Sequence, residues 1–241
     1  MVSWCFGNII SIRDSGLLEG FRDCHCHLLP SVDDGVQEPE ESLDILRLWE
    51  QAGVGEVWLT PHIMEDVPNK TSELRQRFAE LKATYQGVIK LHLAAENMMD
   101  RLFMERLEKG DLLTIGQSGR HLLVETSYYN PPMDMERIIE QIKENSFTPI
   151  LAHPERNQYM GLEDYGKWKQ KGILFQLNIP SLVGTYGPMV QKKAETLLNK
   201  GLYDFCGTDT HSIDSTEIFL DSKISKNTVK KVQQIVNNEN L

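Results

Sequence analysis

The stretch Asp23-Cys24-His25-Cys26-His27 decides the fold class, because it places two histidines one residue apart in a predicted strand. Side chains two positions apart on a strand point to the same face, so both imidazoles can bind one metal ion. A His-x-His pair also occurs in ordinary strand sequence, and taken alone it supports both interpretations about equally. The rest of the chain favours the metal site.

Five later segments have the same sequence pattern, in which an apolar run ends at a residue that can bind a metal. From His27 the steps to His62, Glu96, Glu125 and His153 are 35, 34, 29 and 28 residues. Each step is about the length of one strand-plus-helix unit. The potential ligands therefore recur at predicted strand ends. The five segments are 57–62, 91–96, 121–125, 149–153 and 203–211.

Recurrent strand–helix units with chemistry at the carboxyl ends of the strands predict an α/β barrel, whose loops at one rim supply the active site. Gly53, Gly172 and Gly201 fall where helices should end. Apolar periodicity predicts helices over 41–51, 71–85, 133–144 and 191–200. Seven strands are predicted, over 21–27, 56–61, 90–96, 121–126, 148–153, 173–178 and 203–208.

The length of 241 residues suits one domain. We expect an N-terminal extension over 1–20 and a single barrel domain over 21–241. The start of the chain lacks the features of a signal peptide, and no apolar run approaches the roughly 18 residues of a membrane span. The sequence thus predicts a cytoplasmic protein with no membrane span, and leaves its oligomeric state open.

Charge and cysteine positions argue against a nucleic-acid-binding protein and against a metal site made of cysteines. The formal net charge is −10, with no block of lysine and arginine, which argues against a nucleic-acid partner. Four cysteines lie at positions 5, 24, 26 and 206. Because Cys24 and Cys26 alternate with the two histidines, we expect both to face the helices as small buried hydrophobes rather than to bind metal.

Short motifs surround the potential ligands in a fixed order. They are His25-x-His27 followed by Val32-Asp33-Asp34-Gly35, then Thr60-Pro61-His62, Ala95-Glu96, Val124-Glu125, Ala152-His153-Pro154-Glu155-Arg156 and Thr208-Asp209-Thr210-His211. Together they resemble the polymerase-and-histidinol-phosphatase (PHP) family of metal-dependent phosphoesterases. Within it the chain is most similar to bacterial manganese-dependent protein-tyrosine phosphatases that work beside capsule or exopolysaccharide tyrosine kinases. The resemblance spans about 23–211 and implies the PHP fold, a distorted (β/α)7 TIM-like barrel.

The resemblance implies three divalent metal ions. Asp34 is chosen over Asp33 because it lies nine residues after His25, as the family pattern implies. Imidazoles and carboxylates without thiolates suit manganese, iron, zinc or magnesium, and the resemblance favours manganese. Three such ions against four carboxylates leave a surplus of about two positive charges, which can attract a phosphate dianion. The implied ligands are His25, His27, Glu96 and Asp209 for the first ion, Asp34, His62 and His211 for the second, and Glu96, Glu125 and His153 for the third.

The implied activity is that of a hydrolase, a phosphotyrosine-protein phosphatase acting on the tail of a bacterial tyrosine kinase. A metal-activated hydroxide would attack phosphorus. Arg156 is the predicted catalytic and substrate-binding residue, since a guanidinium can hold two phosphoryl oxygens. His211 is predicted to be catalytic as well as a ligand. A cysteine nucleophile is excluded by sequence, because no arginine lies six residues after any of the four cysteines.

Other functions stay open at this point. The same metal site could hydrolyse a small phosphate monoester such as histidinol phosphate, or a nucleotide end, and a noncatalytic scaffold could keep the fold. An amidohydrolase also begins with His-x-His, but it would usually bring a lysine where Glu96 and Glu125 stand. The nearest family pattern has an asparagine and then a second arginine after the last histidine. Here 212–216 reads Ser-Ile-Asp-Ser-Thr, which leaves the substrate open.

Overall fold

The computed structural model describes residues 8–236, in which parallel strands alternate with helices. The strands are β1 (Ile9–Ser11), β2 (Arg22–Cys26), β3 (Glu56–Leu59), β4 (His62–Ile63), β5 (Lys90–Leu93), β6 (Glu96–Met98), β7 (His121–Glu125), β8 (Thr148–Leu151), β9 (Leu174–Asn178), β10 (Phe205–Gly207) and β11 (Lys223–Ser225). The helices are α1 (Pro39–Ala52), α2 (Thr71–Thr84), α3 (Arg101–Lys109), α4 (Met135–Glu144), α5 (Leu162–Gln170), α6 (Pro188–Asn199), α7 (Ile213–Asp221) and α8 (Lys226–Val236). Short 3-10 turns follow β8 and β9, at Pro154–Arg156 and Ile179–Val183.

The parallel strands form two hydrogen-bonded sheets. In the larger sheet the order is β10-β9-β8-β7-β6-β4, and in the smaller it is β2-β3-β5. β4 and β6 follow β3 and β5 after short breaks, and backbone hydrogen bonds cross these breaks. The Ala94 amide donates to the Leu59 carbonyl at 2.8 Å, and the Glu96 amide donates to the Pro61 carbonyl at 3.1 Å. The two sheets are therefore linked along this side.

The opposite sides of the two sheets also meet. The Asp209 amide, just after β10, donates to the His25 carbonyl at 2.7 Å, and the His27 amide donates to the Thr210 carbonyl at 2.8 Å. The parallel sheet is thus curled, and the carboxyl ends of its strands gather at one edge. This α/β architecture places the predicted ligands together.

The predicted elements agree with the structure. All seven predicted strands are present, although two of them are broken, after Leu59 and after Leu93. The four predicted helices correspond to α1, α2, α4 and α6. Gly53 ends α1 with a φ of 91°, in the left-handed region that glycine adopts without strain. The end of α5 was predicted at Gly172, whereas α3, α7 and α8 were not predicted from the sequence.

Two hydrophobic clusters make up the core. The larger lies between strands and helices and contains Cys26. The smaller contains residues of strands and strand ends together with Ile115 from the connection before β7, with none from a helix, so we place it inside the curled sheet. The expectation that both cysteines face the helices is wrong for Cys24, which belongs to the smaller cluster, because the pairing of β2 with β3 shifts register between Asp23 and Cys26. The smaller cluster consists of Cys24, Trp58, Ala94, Ile115, Leu123, Ile150, Ala152 and Phe205.

The segment before β2 packs against the rest of the chain. β1 pairs in antiparallel fashion with β11, and Ile12, Leu17 and Leu18 are buried in the larger cluster. The boundary predicted at residue 20 stays a prediction. Within residues 8–236, no helix combines the length and the apolar character needed to cross a membrane.

Candidate metal centre

The nine predicted ligands lie together at the carboxyl ends of the strands. They fall into four overlapping groups, and in each group the potential ligand atoms lie within 4.8 Å of one another. Their assignment as metal ligands stays a prediction, but the convergence of all nine is a property of the fold. The groups are His27, Asp34, His62 and His211; His25, His27 and Asp209; His25, Glu96 and His153; and His62, Glu96 and Glu125.

The first group of interest is built on β2. The Nε2 atoms of His25 and His27 lie 3.1 Å apart, and each is 3.5 Å from Asp209 Oδ1. His25 Nε2 also lies 3.1 Å from Glu96 Oε2. These are the four residues predicted for the first ion, and the structure brings them together.

Gln176 on β9 fixes the orientation of His25. Its side-chain oxygen faces the backbone amide of His153, which can only donate, at 3.1 Å, and its Nε2 donates to the Leu177 carbonyl. The same oxygen lies 3.0 Å from His25 Nδ1, so Nδ1 must donate to it. In the neutral ring, Nε2 then carries the lone pair and faces the carboxylates, as a metal-binding histidine requires.

His62, at the start of β4, lies between two groups of carboxylates. Its Nε2 is 3.5 Å from Asp34 Oδ1, and His211 Nε2 is 3.6 Å from the same oxygen. Asp33 has a different position, because its Oδ2 accepts from His27 Nδ1 at 2.8 Å and from the His62 amide at 2.9 Å. The geometry thus supports Asp34 as the ligand and Asp33 as the residue that orients His27.

The third predicted set is less compact than the other two. His153 Nε2 lies 2.8 Å from Glu96 Oε1 but 4.0 Å from Glu125 Oε2. The nitrogen closest to Glu125 is instead His62 Nδ1, which lies 3.1 Å from Glu125 Oε1 and 3.1 Å from Glu96 Oε2. His153 accordingly groups with His25 and Glu96, whereas His62 groups with Glu96 and Glu125.

Buried carboxylates dominate the electrostatics of this region. Burial lowers the pKa of His25, but the carboxylates of Glu96 and Asp209 outweigh this effect and raise the pKa to about 9. In the opposite sense, burial raises the pKa of Asp209, but the imidazoles of His25, His153 and His27 lower it to about 2. The carboxylates therefore favour the positively charged form of His25.

Unpaired polar atoms test whether the residues fit a metal. Four buried atoms at this site have no hydrogen-bond partner within the described part of the chain. Buried polar groups are almost always paired, and three of these atoms face one another, since His62 Nδ1 lies 3.1 Å from both Glu96 Oε2 and Glu125 Oε1. The donor set therefore fits divalent cations. The atoms are His62 Nδ1, Glu96 Oε2, Glu125 Oε1 and His153 Nδ1.

Backbone strain occurs at two predicted ligands. His153 has a φ of 31° and Asp209 has a φ of 54°, both in the left-handed region that disfavours residues with a Cβ. Such strained residues cluster at functional sites, where surrounding structure holds them in place. The hydrogen bond from the Asp209 amide to the His25 carbonyl, at 2.7 Å, is one such restraint.

Arg156 lies beside the metal ligands. Its Nη1 donates to Asp209 Oδ2 at 2.7 Å, and its guanidinium lies over both the ring of Tyr128 and the ring of Tyr186. Asp209 Oδ2 also accepts from Asn178 Nδ2 at 2.8 Å. The preceding Glu155 is buried and accepts from the Asn178 amide, so it ties the segment that carries Arg156 to the end of β9.

The sequence missed three side chains that support the site. Gln176, Asn178 and Tyr186 have no motif around them; the only available signal was a glutamine inside the apolar run of β9. Asp23 supports the backbone here, because it accepts from the His25 amide and from the amide and hydroxyl of Thr208. Burial raises the pKa of Asp23 to about 6, against the lowering effect of those hydrogen bonds.

His92 and His121 lie outside the cluster of predicted ligands. So does segment 212–216, where the second arginine of the family pattern is missing. His92 stacks on Trp58 with 4.4 Å between ring centroids, as expected of a packed histidine. His121, at the start of β7, packs edge-on against Phe205. Ser212 caps α7, where its Oγ accepts from the Ser215 amide. That segment has a structural role.

One known protein family matches nearly the whole chain. The model of the family described as capsular polysaccharide synthesis, CpsB/CapC, matches residues 21–238. The chain belongs to the CpsB/CapC family. The resemblance predicted from the motifs is thereby confirmed, and it extends over nearly the whole chain.

Relatives within the family are tyrosine-protein phosphatases by name. YwqE of Bacillus subtilis is 26% identical over 198 residues, which are 79% of this chain and 77% of YwqE. CpsB of Streptococcus pneumoniae is 27% identical over 206 residues, which are 80% of this chain and 84% of CpsB.

Solved structures share the fold. Crystal structures of YwqE and CpsB, described as unique metal-dependent tyrosine phosphatases, include a chain that superposes with a TM-score of 0.75 at 21% identity, over 90% of this chain and 87% of that one. The phosphotriesterase homology protein of Escherichia coli, with phosphate in its active site, superposes with a TM-score of 0.52 at 13% identity, over 84% of this chain and 86% of that one.

Proposed function

We propose that this protein is a metal-dependent tyrosine-protein phosphatase that hydrolyses phosphotyrosine in a partner protein. The observation that carries the proposal is the convergence of five imidazoles and four carboxylates at one edge of a curled parallel sheet. Relatives named tyrosine-protein phosphatase support the substrate class. The buried cysteines offer no alternative nucleophile within the described residues, since burial raises the pKa of each of their thiols.

The nine clustered residues would hold three divalent ions, which we propose to be manganese. His25, His27, Glu96 and Asp209 bind the first, and Asp34, His62 and His211 bind the second. For the third, Glu96 and His153 are adjacent, and Glu125 completes the set. When bound, such ions lower the pKa of water to about 7 and oppose the charge of a phosphoryl group.

The protein's own residues bind and orient the phosphoryl group. Arg156 donates to phosphoryl oxygens, and its hydrogen bond to Asp209 fixes it beside the metal ligands. His211, with its side chain 31% exposed, borders the opening of the site, and its Nδ1 donates to the Asp209 carbonyl. A tyrosyl group, with a pKa of about 10, leaves readily without strong acid assistance.

The proposal also covers the barrel type, the domain bounds, the partner protein and the cellular location. We take β3 with β4, and β5 with β6, as two broken strands, which gives a distorted (β/α)7 barrel of PHP type over 21–241, with 1–20 as an extension. The hydrogen bonds from the Asp209 amide to the His25 carbonyl and from the His27 amide to the Thr210 carbonyl support closure. The partner is the tail of a bacterial tyrosine kinase that controls capsule or exopolysaccharide synthesis. The cytoplasm, where such a tail lies, is the site of action.

The test compares substrates and metals. Purified protein should hydrolyse a phosphotyrosyl peptide faster than histidinol phosphate, should lose activity on chelation and should regain it with manganese. His153→Ala should abolish turnover while largely preserving the fold, because a residue at the strand ends contributes little to the core. His121→Ala is the matched control, since that histidine lies outside the cluster. A strong preference for histidinol phosphate, or full activity after chelation, would refute the proposal.

A further inference from the structure

We propose that Tyr128 and Tyr186 are positioning residues that hold the Arg156 guanidinium so that a phosphoryl group approaches its edge. The inference rests on the proposed function, in which Arg156 binds phosphoryl oxygens. The guanidinium carbon lies 4.3 Å from the centroid of the Tyr128 ring and 4.2 Å from the centroid of the Tyr186 ring. Both distances are those of cation–π contacts.

The two ring contacts limit which part of the guanidinium is open to a ligand. The group is planar and its five N–H donors point outward in that plane. Because both rings pack over the guanidinium carbon, we infer that a ligand reaches the donors at the edge of the group. Within residues 8–236, the guanidinium makes one hydrogen bond, from Nη1 to Asp209 Oδ2. The side chain is 19% exposed, so the other donors remain accessible to a phosphoryl group.

Both rings are anchored to the candidate metal centre. The hydroxyl of Tyr186 accepts from Asn178 Nδ2 at 3.1 Å and donates to Asp209 Oδ2 at 3.4 Å. The ring of Tyr128 packs edge-on against the imidazole of His153, with 5.7 Å between centroids. The residues that set the position of the guanidinium therefore contact two predicted metal ligands.

Asp209 links the two halves of the site. Its Oδ1 faces the imidazoles of His25 and His27, whereas its Oδ2 faces Arg156, Asn178 and Tyr186. A long arginine side chain loses much rotational freedom when it binds a ligand, unless the protein has already fixed it. The two rings supply that fixation. The chain lacks the second arginine of the family pattern, so the alignment of Arg156 matters more for phosphate binding.

A spectroscopic experiment tests the two ring contacts without reference to activity. In protein with 15N-labelled arginine, the Arg156 Nε–H proton should resonate upfield of exposed arginines, because it lies over two aromatic faces. The resonance is assigned by its loss in Arg156→Lys. Tyr128→Leu combined with Tyr186→Leu should return the signal to the exposed position, whereas Tyr129→Leu should not. Tyr129 is the matched control because it is adjacent and 68% exposed. An unshifted wild-type resonance would overturn the inference.

Phosphate binding tests the positioning role. In a direct binding titration, inorganic phosphate should bind Tyr128→Leu and Tyr186→Leu roughly tenfold more weakly than wild type, because each variant loses one cation–π contact. The KM for a phosphotyrosyl peptide should rise by a similar factor. Tyr128→Phe, which keeps the ring, should recover most of the phosphate affinity and also controls for misfolding. Leucine variants that bind phosphate as tightly as wild type would overturn the inference.

The outcomes separate this inference from the proposed function. A wild-type protein that does not hydrolyse phosphotyrosyl peptides refutes the proposed function, while the arginine resonance and phosphate binding still decide the positioning role. If wild type is active and Arg156→Ala weakens phosphate binding while both leucine variants do not, the positioning role alone is wrong.

Discussion

Replacement of Gln176 by leucine should destabilise the fold and weaken metal binding together. The Gln176 oxygen accepts from His25 Nδ1 at 3.0 Å and from the His153 amide at 3.1 Å, and both residues are buried. Leucine has a similar volume but no acceptor. Each buried donor left unpaired costs about 1–3 kcal/mol, so the unfolding free energy should fall by roughly 2–6 kcal/mol. Loss of the group that orients His25 should lower metal affinity by about 10–100-fold.

The assay is equilibrium unfolding in urea in the presence of a chelator, followed by metal titration of the folded variant. Chelation separates the hydrogen-bond effect from any stabilisation by bound ions. Gln170→Leu is the control, because Gln170 is exposed on α5 and the same chemical change there leaves no buried donor unpaired. If the two variants differ in unfolding free energy by less than about 1 kcal/mol, the role assigned to Gln176 is wrong.

Three further predictions follow from contacts in the site. Gly207→Ala should lower stability by about 1–3 kcal/mol in thermal unfolding, since a Cβ there would lie 2.5 Å from His25 Cβ; wild-type stability would contradict this close approach. Asp33→Ala should weaken metal binding about 10–100-fold in a competition titration, because His27 Nδ1 loses its acceptor, and an unchanged affinity would argue against that role. Iodoacetamide should leave phosphatase activity intact in a peptide assay, whereas rapid inactivation would indicate a reactive thiol. The buried thiols concerned are those of Cys24, Cys26 and Cys206.

The strand ends were predictable because one pattern encodes both fold and chemistry. Apolar runs that end at His62, Glu96, Glu125 and His153 define the strands and the ligands at once. Helix α1 was predictable from its periodicity and from Gly53 at its end. The breaks after Leu59 and Leu93 were not, because an apolar run of six or seven residues carries no mark of where its hydrogen bonding is interrupted.

Long-range pairing and supporting side chains escaped prediction for a different reason. The pairing of Ile9 with Ser225 joins residues more than 200 positions apart, and neither segment has a pattern that identifies its partner. Gln176 and Tyr186 gain their roles only from neighbours on other elements. The sequence also could not show that His62 Nδ1, at 3.1 Å, lies nearer to Glu125 than His153 Nε2 does, at 4.0 Å.

The left-handed backbone at His153 sets catalytic activity against conformational stability at a single position. Glycine adopts a φ of 31° far more readily than histidine does, so substitution by glycine would relax the chain there while removing the imidazole. A more stable but inactive protein lies one substitution away. Selection for thermal stability alone would therefore favour the loss of this histidine. A homologue that retains it would be one in which selection still maintains catalytic activity.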